Sequence, residues 1–304
     1  MQVWRSLDEI PAGFGPSVVV IGNFDGVHRG HVHVLRTAAA EANGRHVVAI
    51  TFDPHPMAVL RPEHAPSMLT SVEDRADLLA GAGADAVFAL PFSREVASWT
   101  PEEFIDRVLV TGLGAAVVVV GANFRFGARA AGDVDSLRSY GGFEVIAVPL
   151  EGGPQVWSST YIRQCLAAGD VEGASEALGR DYAVSGLVVK GDQRGRELGY
   201  PTANVPVGDV AVPADGVYAG WLTREDTGER FPAAISVGTN PTFAGQRERR
   251  VEAYALDRDD LELYGVPVEI AFHARIRGMV AFEGVEALIE TMRGDVERTR
   301  ELLA

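Results

Sequence analysis

The chain of 304 residues has a single cysteine, Cys165, and lacks any long apolar run. One cysteine excludes an intramolecular disulfide framework, which fits a protein of the reducing cytoplasm. No segment approaches the run of about 18 apolar residues that a membrane-spanning helix needs. The N-terminus also lacks the basic region and the apolar stretch of a signal peptide. We therefore expect a cytoplasmic protein with no membrane partner.

Positive charge is scarce as well. The chain has 27 lysine and arginine residues against 42 aspartate and glutamate residues, and Lys190 is the only lysine. The net charge of −15 disfavours nonspecific binding to DNA, RNA or anionic membranes, so we expect no nucleic-acid partner. The motif Gly-x-x-x-x-Gly-Lys-Ser/Thr is absent, which excludes a Walker-type phosphate site. An anionic ligand must therefore be bound by local donors and metal ions, because the overall field does not favour it.

The length predicts about two domains, and the first half of the chain has the pattern of an α/β domain over residues 1–178. Apolar runs alternate there with helical periodicity, which predicts a parallel sheet with helices on both faces. The predicted strands are Val18–Ile21, Val47–Phe52, Ala86–Leu90, Ala115–Val120 and Glu144–Pro149. The predicted helices lie around 31–43, 71–81, 101–111 and 133–140, and two short helices over 160–178 would close the domain.

The periodicity changes after about residue 180, which predicts a second domain over residues 179–304. Its strands follow one another without intervening helices, as in an antiparallel β-barrel. They are Tyr182–Val189, Gly216–Leu222, Ala233–Val237, Val251–Ala255 and Val268–Ile276. A terminal helix from Val285 to Leu303 carries an apolar stripe that could serve a free interaction helix but is more typical of core packing. The stripe consists of Val285, Leu288, Ile289, Met292, Val296 and Leu303.

The segment Gly22–His31 has the most informative spacing in the first half. It follows the apolar run Val18–Ile21 and precedes a helical pattern that begins near Gly30. A strand, a glycine-rich turn and a helix start predict an anion site, where backbone N–H groups meet the imidazoles of His28 and His31. The spacing alone leaves two alternatives open. The histidines could bind zinc, although no third ligand is near, or they could be surface residues.

Polar side chains follow other apolar runs of the first half. Asp53 and His55 come after a predicted strand, and prolines on both sides of His55 stiffen the loop. Asn123 follows the next buried run, where an asparagine can also be a simple turn former. Three hydroxyl residues precede a helical turn, with an arginine about one turn further on. They are Ser158, Ser159 and Thr160, followed by Arg163, and they fit either helix capping or an anion site.

The second half has its own glycine-rich, basic loop, Val189–Gly199. Its backbone amides could wrap a phosphate, although a solvated surface loop has the same composition. Next to it, the hydroxyl of Thr202 and the amide oxygen of Asn204 are hard ligands suitable for Mg²⁺. Glu252 lies in a predicted strand on the face opposite to Val251, which is also where an ordinary surface glutamate would lie.

Five of these segments, in this order, resemble motifs of one enzyme family. The segment Phe24–His31 resembles the His-x-Gly-His signature of nucleotidyltransferases in the form found in bacterial FAD synthetases. Segments Thr51–Pro56, Gly121–Gly127 and Ser158–Arg163 resemble later motifs of that family, and Gly199–Asn204 resembles the riboflavin kinase signature. The resemblance covers nearly the whole chain. It implies a Rossmann-like nucleotidyltransferase domain followed by a riboflavin kinase-like barrel.

The resemblance also implies roles in the first domain. His28 and His31 would contact the ATP phosphates, and Gly22 and Phe24 would line the adenine and ribose side. Asn123 would belong to the nucleotide site, and a flat flavin would lie near Asp53 and His55. The remaining phosphate ligands would be Ser158, Ser159, Thr160 and Arg163.

In the second domain, the resemblance implies a site for Mg–ATP and riboflavin. Thr202 and Asn204 would bind the metal, and Glu252 would be the catalytic base. Phosphate contacts would come from the basic loop through Lys190, Gly191 and Arg194. The expected reactions are phosphorylation of riboflavin to FMN and adenylyl transfer from ATP to FMN, which gives FAD and pyrophosphate. The partners are thus small molecules, the cofactor is Mg²⁺, and the oligomeric state stays open.

Two other functions remain as alternatives. A flavin-binding regulator would keep the fold with one or both sites degenerate, but the intact candidate residues argue against it. A nucleotidyltransferase for another substrate, such as nicotinamide mononucleotide or phosphopantetheine, would not need the second signature.

Overall fold

A computed structural model of the chain describes residues 1–149, 157–191, 198–239 and 249–304. The chain divides into two compact units, Met1–Ser158 and Ser159–Ala304. The two short helices expected over 160–178 thus group with the second unit by their contacts. The division of the two activities at residue 178 stays a prediction.

The first unit contains a six-stranded parallel sheet. The strands are β1 (Gln2–Trp4), β2 (Ser17–Ile21), β3 (His46–Asp53), β4 (Ala86–Pro91), β5 (Ala115–Gly121) and β6 (Glu144–Val148). Their order across the sheet is β1-β4-β3-β2-β5-β6, and every neighbouring pair is parallel. The strand β2 is buried along its whole length, as expected for a sheet covered on both faces. The predicted parallel sheet is confirmed, and β1 is an additional short edge strand.

Helices cover the two faces of this sheet and enclose two apolar clusters. They are α1 (Arg29–Ala40), α2 (Pro56–Leu60), α3 (Val72–Gly81), α4 (Pro101–Phe104) and α5 (Val134–Tyr140). A π-helical segment, Ile105–Gly112, continues α4, and single 3₁₀ turns lie at Leu7–Glu9, Pro62–His64, Val96–Ser98 and Ala128–Ala130. Side-chain caps fix several starts: Ser71 accepts a hydrogen bond from the Asp74 N–H at the start of α3. The five-residue α2 was not predicted, because its pattern is too short to show a period.

The strand order reverses beside β2. From β2 the chain continues to β3 and β4 on one side, and then returns to β5 and β6 on the other. The loops that follow β2 and β5 therefore diverge, which opens a crevice at the carboxyl ends of these strands. Ligands of open α/β sheets bind at such a point.

The second unit is an antiparallel barrel preceded and followed by helices. Its elements are α6 (Ser159–Ala168), α7 (Val171–Leu178), β7 (Tyr182–Leu187), β8 (Ala203–Pro206), β9 (Gly216–Arg224), β10 (Arg230–Thr239), β11 (Arg249–Ala255), β12 (Pro267–Gly278) and α8 (Val285–Leu303). The strand order is β7-β12-β9-β10-β11-β8. The Val189 N–H donates to the Asn204 carbonyl over 2.9 Å, which brings β8 back to the end of β7. This nearly closed barrel confirms the prediction, apart from β8, which is too short to be recognised.

The terminal helix α8 packs on the barrel mainly through its C-terminal half. Val296 is buried as expected, but the same face also buries Asp295 and Thr299. The Arg277 guanidinium donates two hydrogen bonds, of 2.8 and 2.7 Å, to the Asp295 carboxylate. This pairing lets polar residues occupy core positions. The predicted packing of Val285 is wrong, since its side chain is 54% exposed. No helix in the described part of the chain is long and apolar enough to cross a membrane.

Candidate active sites

The turn after β2 has a backbone that ordinary residues rarely adopt. Phe24 and Val27 have φ values of 49° and 40°, and Gly26 lies between them at 81°. A positive φ is uncommon for any residue with a side chain, and for a β-branched valine it is a clear outlier. Such strain persists only where the surroundings hold it, and it is concentrated at functional sites. The turn therefore needs support from neighbouring residues.

Buried hydrogen bonds supply that support on one side of the turn. The Asp25 carboxylate accepts the backbone N–H groups of Leu69, at 2.9 and 3.1 Å, and of Thr70, at 3.2 Å. Arg75 Nη2 lies 3.8 Å from Asp25 Oδ1, and both side chains are 2% exposed. Asp25 thus ties the turn to the segment before α3. Its place in the Gly22–His31 segment was visible in the sequence, but its partners were not.

The other side of the turn is held through β3. The Thr51 hydroxyl donates to the Asn23 carbonyl over 2.8 Å and accepts a hydrogen bond of 2.8 Å from Arg75 Nη1. The His55 ring also lies beside Asn23, and its Nε2 atom is 3.3 Å from Asn23 Nδ2. The loop after β3 and the turn after β2 are therefore one connected structure. Asn23 and Thr51 lie in segments that the sequence analysis singled out, but neither residue was given a role there. Arg75 was not predicted, since nothing local in the sequence marks it.

His28 and His31 lie together at the start of α1, as predicted. Their rings stack with centroids 3.6 Å apart and an interplanar angle of 22°. Phe24 meets the His31 ring edge-on at 5.1 Å, and a Cβ on Gly30 would come within 3.2 Å of the His28 ring. Gly30 is thus required for close approach of the backbone to that imidazole.

The environment of His31 favours its neutral form. Burial of the imidazole, the neighbouring His28 and the Arg75 guanidinium lower the pKa of His31 well below its usual value of 6.5. Within the described residues, its Nδ1 atom is buried without a hydrogen-bond partner. A buried nitrogen of this kind is expected to find a partner in a bound ligand or in water.

The other predicted residues of the first domain lie around this turn. Gly22 donates its N–H to the Ile50 carbonyl over 3.1 Å, and a Cβ there would come within 3.1 Å of the Phe24 ring. Phe24 itself is 1% exposed, so its ring supports the turn from the core. Asp53 is exposed at the end of β3, and His55 caps α2 by accepting the Met57 N–H at 3.2 Å.

Asn123 is at the matching position on the neighbouring strand. It is exposed and lies two residues after the end of β5, the strand that pairs with β2 at the reversal point. A Cβ on Gly121 would lie 3.3 Å from Asn123 Oδ1. The sheet therefore brings Asn123 and the Gly22 turn to the same edge.

The hydroxyl segment lies at the border of the two units. Ser158 is the last residue of the first unit, while Ser159 begins α6 and Thr160 and Arg163 follow within that helix. The Arg29 guanidinium lies 5.2 Å from the centre of the Trp157 ring, which brings the residue before Ser158 to the start of α1. The distance of Ser159, Thr160 and Arg163 from the histidines stays a prediction.

In the second unit, a cleft opens between β8, β11 and the loop after β11. Thr202 and Asn204 line it, and Gly191 forms part of its rim. Asn204 Nδ2 lies 3.4 Å from the Thr202 carbonyl oxygen and 3.5 Å from its hydroxyl. Asn204 Oδ1 is buried and, within the described residues, has no hydrogen-bond partner. A Cβ on Gly191 would come within 2.4 Å of that oxygen, so a larger residue there would require the Asn204 side chain to move.

The strand register brings Glu252 beside Asn204, a residue that lines this cleft. On β8 and β11, Asn204 pairs with Glu252, and Glu252 in turn pairs with Ser236 of β10. Directly paired residues of antiparallel strands point to the same face, with Cβ atoms about 4.5–5.5 Å apart. Glu252 is half-buried, while Val251 and Ala253 are buried on the opposite face. The structure therefore places the expected base beside the expected metal ligand.

The rest of the cleft comes from residues that the sequence did not single out. The loop between β11 and β12 contributes one wall with Arg258, Asp259, Leu261, Leu263 and Tyr264. Leu261 and Leu263 alternate with charged residues, a pattern that could have indicated a partly buried loop. Lys190 is exposed near Gly191, and the predicted phosphate ligand Arg194 lies outside the described residues. No group of three or more histidine, cysteine or acidic side chains in the described ranges could hold a metal ion.

Comparisons with known proteins agree across both units. The family model of FAD synthetase matches residues 11–161, and that of riboflavin kinase matches residues 178–303. The chain is 37% identical to the bifunctional riboflavin kinase/FMN adenylyltransferase of Pseudomonas fluorescens, over all of this chain and 98% of that protein. The protein of the same name from Escherichia coli strain K12 is also 37% identical, over 93% of this chain and 92% of its own.

A solved structure shows the same fold over nearly the whole chain. It is described as a macrolide-efflux protein from Streptococcus pneumoniae, and it superimposes with a TM-score of 0.88 at 33% identity. The match covers 98% of both chains. Its name differs from those of the curated relatives, so the family assignment rests on the two family models and on those relatives.

Proposed function

This chain belongs to the family of bifunctional riboflavin kinases/FMN adenylyltransferases, and we propose that its two activities use separate sites in the two parts of the chain. The protein phosphorylates riboflavin to FMN with ATP, and it then transfers an adenylyl group from ATP to FMN to give FAD and pyrophosphate. Residues 1–178 carry the second step and residues 179–304 the first. The observation that supports separate sites is that His28 and His31 lie in the compact unit Met1–Ser158, whereas Thr202, Asn204 and Glu252 lie in the unit Ser159–Ala304.

Adenylyl transfer takes place at the turn after β2. A phosphate oxygen of FMN attacks the α-phosphorus of ATP. The bond between the α-phosphorus and the oxygen that bridges it to the β-phosphorus breaks, and pyrophosphate leaves. No protein nucleophile is needed, so the work of the protein is alignment and stabilisation of charge. His28 and His31 donate hydrogen bonds to the phosphates, and a neutral His31 has one N–H donor and one acceptor. The His28 side chain makes no capping hydrogen bond to the start of α1, and the first N–H groups of a helix favour a bound anion.

The surrounding residues bind the two substrates. Gly22 and Asn123 contact the nucleotide at the point where the strand order of the sheet reverses. The buried Phe24 ring supports the turn that contains Gly22. Asp53 and His55 hold the flavin side through the stiff loop after β3. Further phosphate contacts come from the hydroxyl segment and the arginine that follows it, namely Ser158, Ser159, Thr160 and Arg163.

The kinase step takes place in the barrel cleft. Glu252 accepts the proton of the terminal ribityl hydroxyl, and that oxygen attacks the γ-phosphorus of ATP. The bond between the γ-phosphorus and the oxygen that bridges it to the β-phosphorus breaks, and ADP leaves. The half-buried position of Glu252 opposite Asn204 supports this role. Lys190, Gly191 and Arg194 contribute phosphate contacts from the loop at the rim.

The residues of the cleft fit a bound Mg²⁺ ion. The Asn204 amide nitrogen faces Thr202, which leaves the buried, unpartnered Oδ1 as an acceptor with no protein donor in the described part of the chain. A hard cation prefers such oxygens together with a hydroxyl, here that of Thr202. Bound Mg²⁺ would neutralise negative charge on the ATP phosphates. We further propose that the protein works in the cytoplasm on small molecules, without a nucleic-acid partner, in keeping with its single cysteine and its net charge of −15.

A pair of variants tests the division of labour. His31→Ala should lower FAD formation from FMN on the order of 100-fold or more while FMN formation from riboflavin continues. Thr202→Ala should have the reverse effect. Chromatography of the products at several times, starting from riboflavin or from supplied FMN, measures both steps in one protein. If either folded variant loses both steps together, the two activities share a site and the proposal is wrong.

A further inference from the structure

The core of the first unit contains a buried arginine to which adenylyl transfer assigns no task. Arg75 of α3 is 2% exposed, although α3 is a surface helix whose other charged residues mostly face water. Withdrawing a guanidinium from water is costly unless it is paired and hydrogen-bonded. Its guanidinium donates to the carbonyls of Phe52 and Thr70, each over 3.4 Å. Two further directions of contact lead to the strained turn.

One direction runs through β3. Arg75 Nη1 donates to the Thr51 hydroxyl over 2.8 Å, and this hydroxyl donates to the Asn23 carbonyl over 2.8 Å. The other runs through the turn itself, where Arg75 Nη2 faces the Asp25 carboxylate at 3.8 Å. Asn23 and Asp25 flank Phe24, whose φ is 49°. Arg75 therefore fixes the residues on both sides of a backbone conformation that would otherwise relax.

We propose that Arg75 is a positioning residue for adenylyl transfer, which holds the turn of residues 23–27 and thereby aligns His28 and His31 with the phosphates. The inference rests on the proposed function, because it requires that this step use the two histidines. Arg75 acts through Thr51 and Asp25, and it does not need to touch a substrate.

The position of Arg75 has an electrostatic consequence as well. Its guanidinium, His28 on α1 and burial together lower the pKa of His31, and Asp25 is the acidic group of the turn that faces Arg75. Removal of the arginine charge should therefore raise the pKa of His31. Removal of the Thr51 hydroxyl alone should leave that charge in place. The two effects of Arg75, on geometry and on charge, can be separated in this way.

Three variants and a control test the proposal in the full chain. Arg75→Met removes both the hydrogen bonds and the charge, whereas Arg75→Lys keeps the charge without the fork of donors. Thr51→Val removes the link to Asn23 at nearly the same side-chain shape. Arg138→Met is the control, since Arg138 is exposed and pairs with Asp135 on the surface of α5. Riboflavin phosphorylation by the same protein is an internal reference for concentration and folding of the second unit, and a melting curve checks the first.

Arg75→Met should lower kcat for FAD formation from FMN on the order of 100-fold, because a displaced catalytic group loses alignment. Thr51→Val should lower it on the order of tenfold or more, because it removes the hydrogen bonds of that hydroxyl to both Arg75 and Asn23. Arg75→Lys should recover part of the rate. The apparent pKa in the pH profile of this step should move to higher pH in Arg75→Met but not in Thr51→Val. Kinase activity should stay unchanged throughout, and Arg138→Met should match the wild type in both steps.

The results distinguish the possible failures. If folded Thr51→Val and Arg75→Lys form FAD with wild-type kcat and pH profile, Arg75 has no positioning role, even where Arg75→Met fails to fold. The positioning role would also be overturned if the Arg75 variants raised only the KM for FMN or ATP and left kcat unchanged. If His31→Ala forms FAD at the wild-type rate, the proposed site itself is wrong, whatever the Arg75 variants do.

Discussion

The two candidate sites are held in place by different means. In the first unit, the candidate side chains lie on loops and at a helix start, and a buried network around Asp25 and Arg75 supports the turn beside them. In the second unit, Asn204 and Glu252 lie on paired strands, so the sheet register itself brings them together. The backbone hydrogen bonds of the sheet fix the position of a residue on a strand, whereas a residue on a loop needs support from neighbouring side chains. The first site should therefore be sensitive to distant core residues, and the second to its immediate contacts.

The largest effect is expected for the proposed base of the barrel site. Glu252→Gln keeps the size of the side chain but removes the proton acceptor, so kcat for FMN formation should fall by a factor on the order of 10²–10⁴. FAD formation from supplied FMN should be unaffected, because no residue of the first unit changes. Rates from riboflavin and from FMN, measured separately, check this. Glu225→Gln, in the hairpin between β9 and β10, is a matched control that should keep the wild-type kinase rate. If Glu252→Gln also keeps that rate, the role proposed for Glu252 is contradicted.

A smaller effect is expected where the barrel site depends on close contact. In Gly191→Ala, the new Cβ would lie 2.4 Å from Asn204 Oδ1, which must move away from the position proposed for Mg²⁺. Kinase activity should fall about 100-fold, with a higher Mg²⁺ concentration needed for half-maximal rate. Gly294→Ala is the control, because a Cβ there meets nothing within 4 Å. That change should leave both activities intact and stabilise α8 by about 0.5–1 kcal/mol. Equal kinase rates in the two variants would mean that Asn204 tolerates displacement.

The smallest effect is a pH dependence of stability that the first site should show through His31. Its pKa is lower in the folded chain than the usual value of 6.5, so unfolding takes up a proton at mildly acidic pH. The free energy of unfolding of the first unit should therefore fall as the pH drops below about 6.5, by at most about 1.4 kcal/mol per pH unit. Hydrogen exchange in β2 and α1, measured between pH 7.5 and 5.5, reports it, with β9 and β10 as an internal reference. In His31→Gln this slope should disappear; an unchanged slope would assign the acid sensitivity to another group.

Much of the fold follows from local patterns. The continuous apolar strands of the first half and the alternating strands of the second predicted both sheets, and the helix Val285–Leu303 begins and ends where its periodicity does. Errors occurred where an element was too short to show a period, as in β1, α2 and β8. They also occurred where a polar pair replaced an apolar contact, as Arg277 and Asp295 do beneath α8.

The candidate sites were predicted in part. The histidines, Thr202, Asn204 and Glu252 could be named because their motifs are contiguous in the sequence. Arg75, Thr51 and the wall of the barrel cleft could not, since each acts on residues far away along the chain. A lone arginine in an amphipathic helix looks like a solvated charge until its burial is known.

The sequence by itself determined the order of the elements and the chemical groups available at each site, because apolar periodicity and turn chemistry are local properties. Only the tertiary structure decided which of these groups meet. Sheet order, register and burial decide the stacking of His28 on His31 and the pairing of Asn204 with Glu252. They also decide the contacts that connect Arg75 to the strained turn. These are long-range packing effects, and they determine what a polar side chain can bind and how its charge behaves.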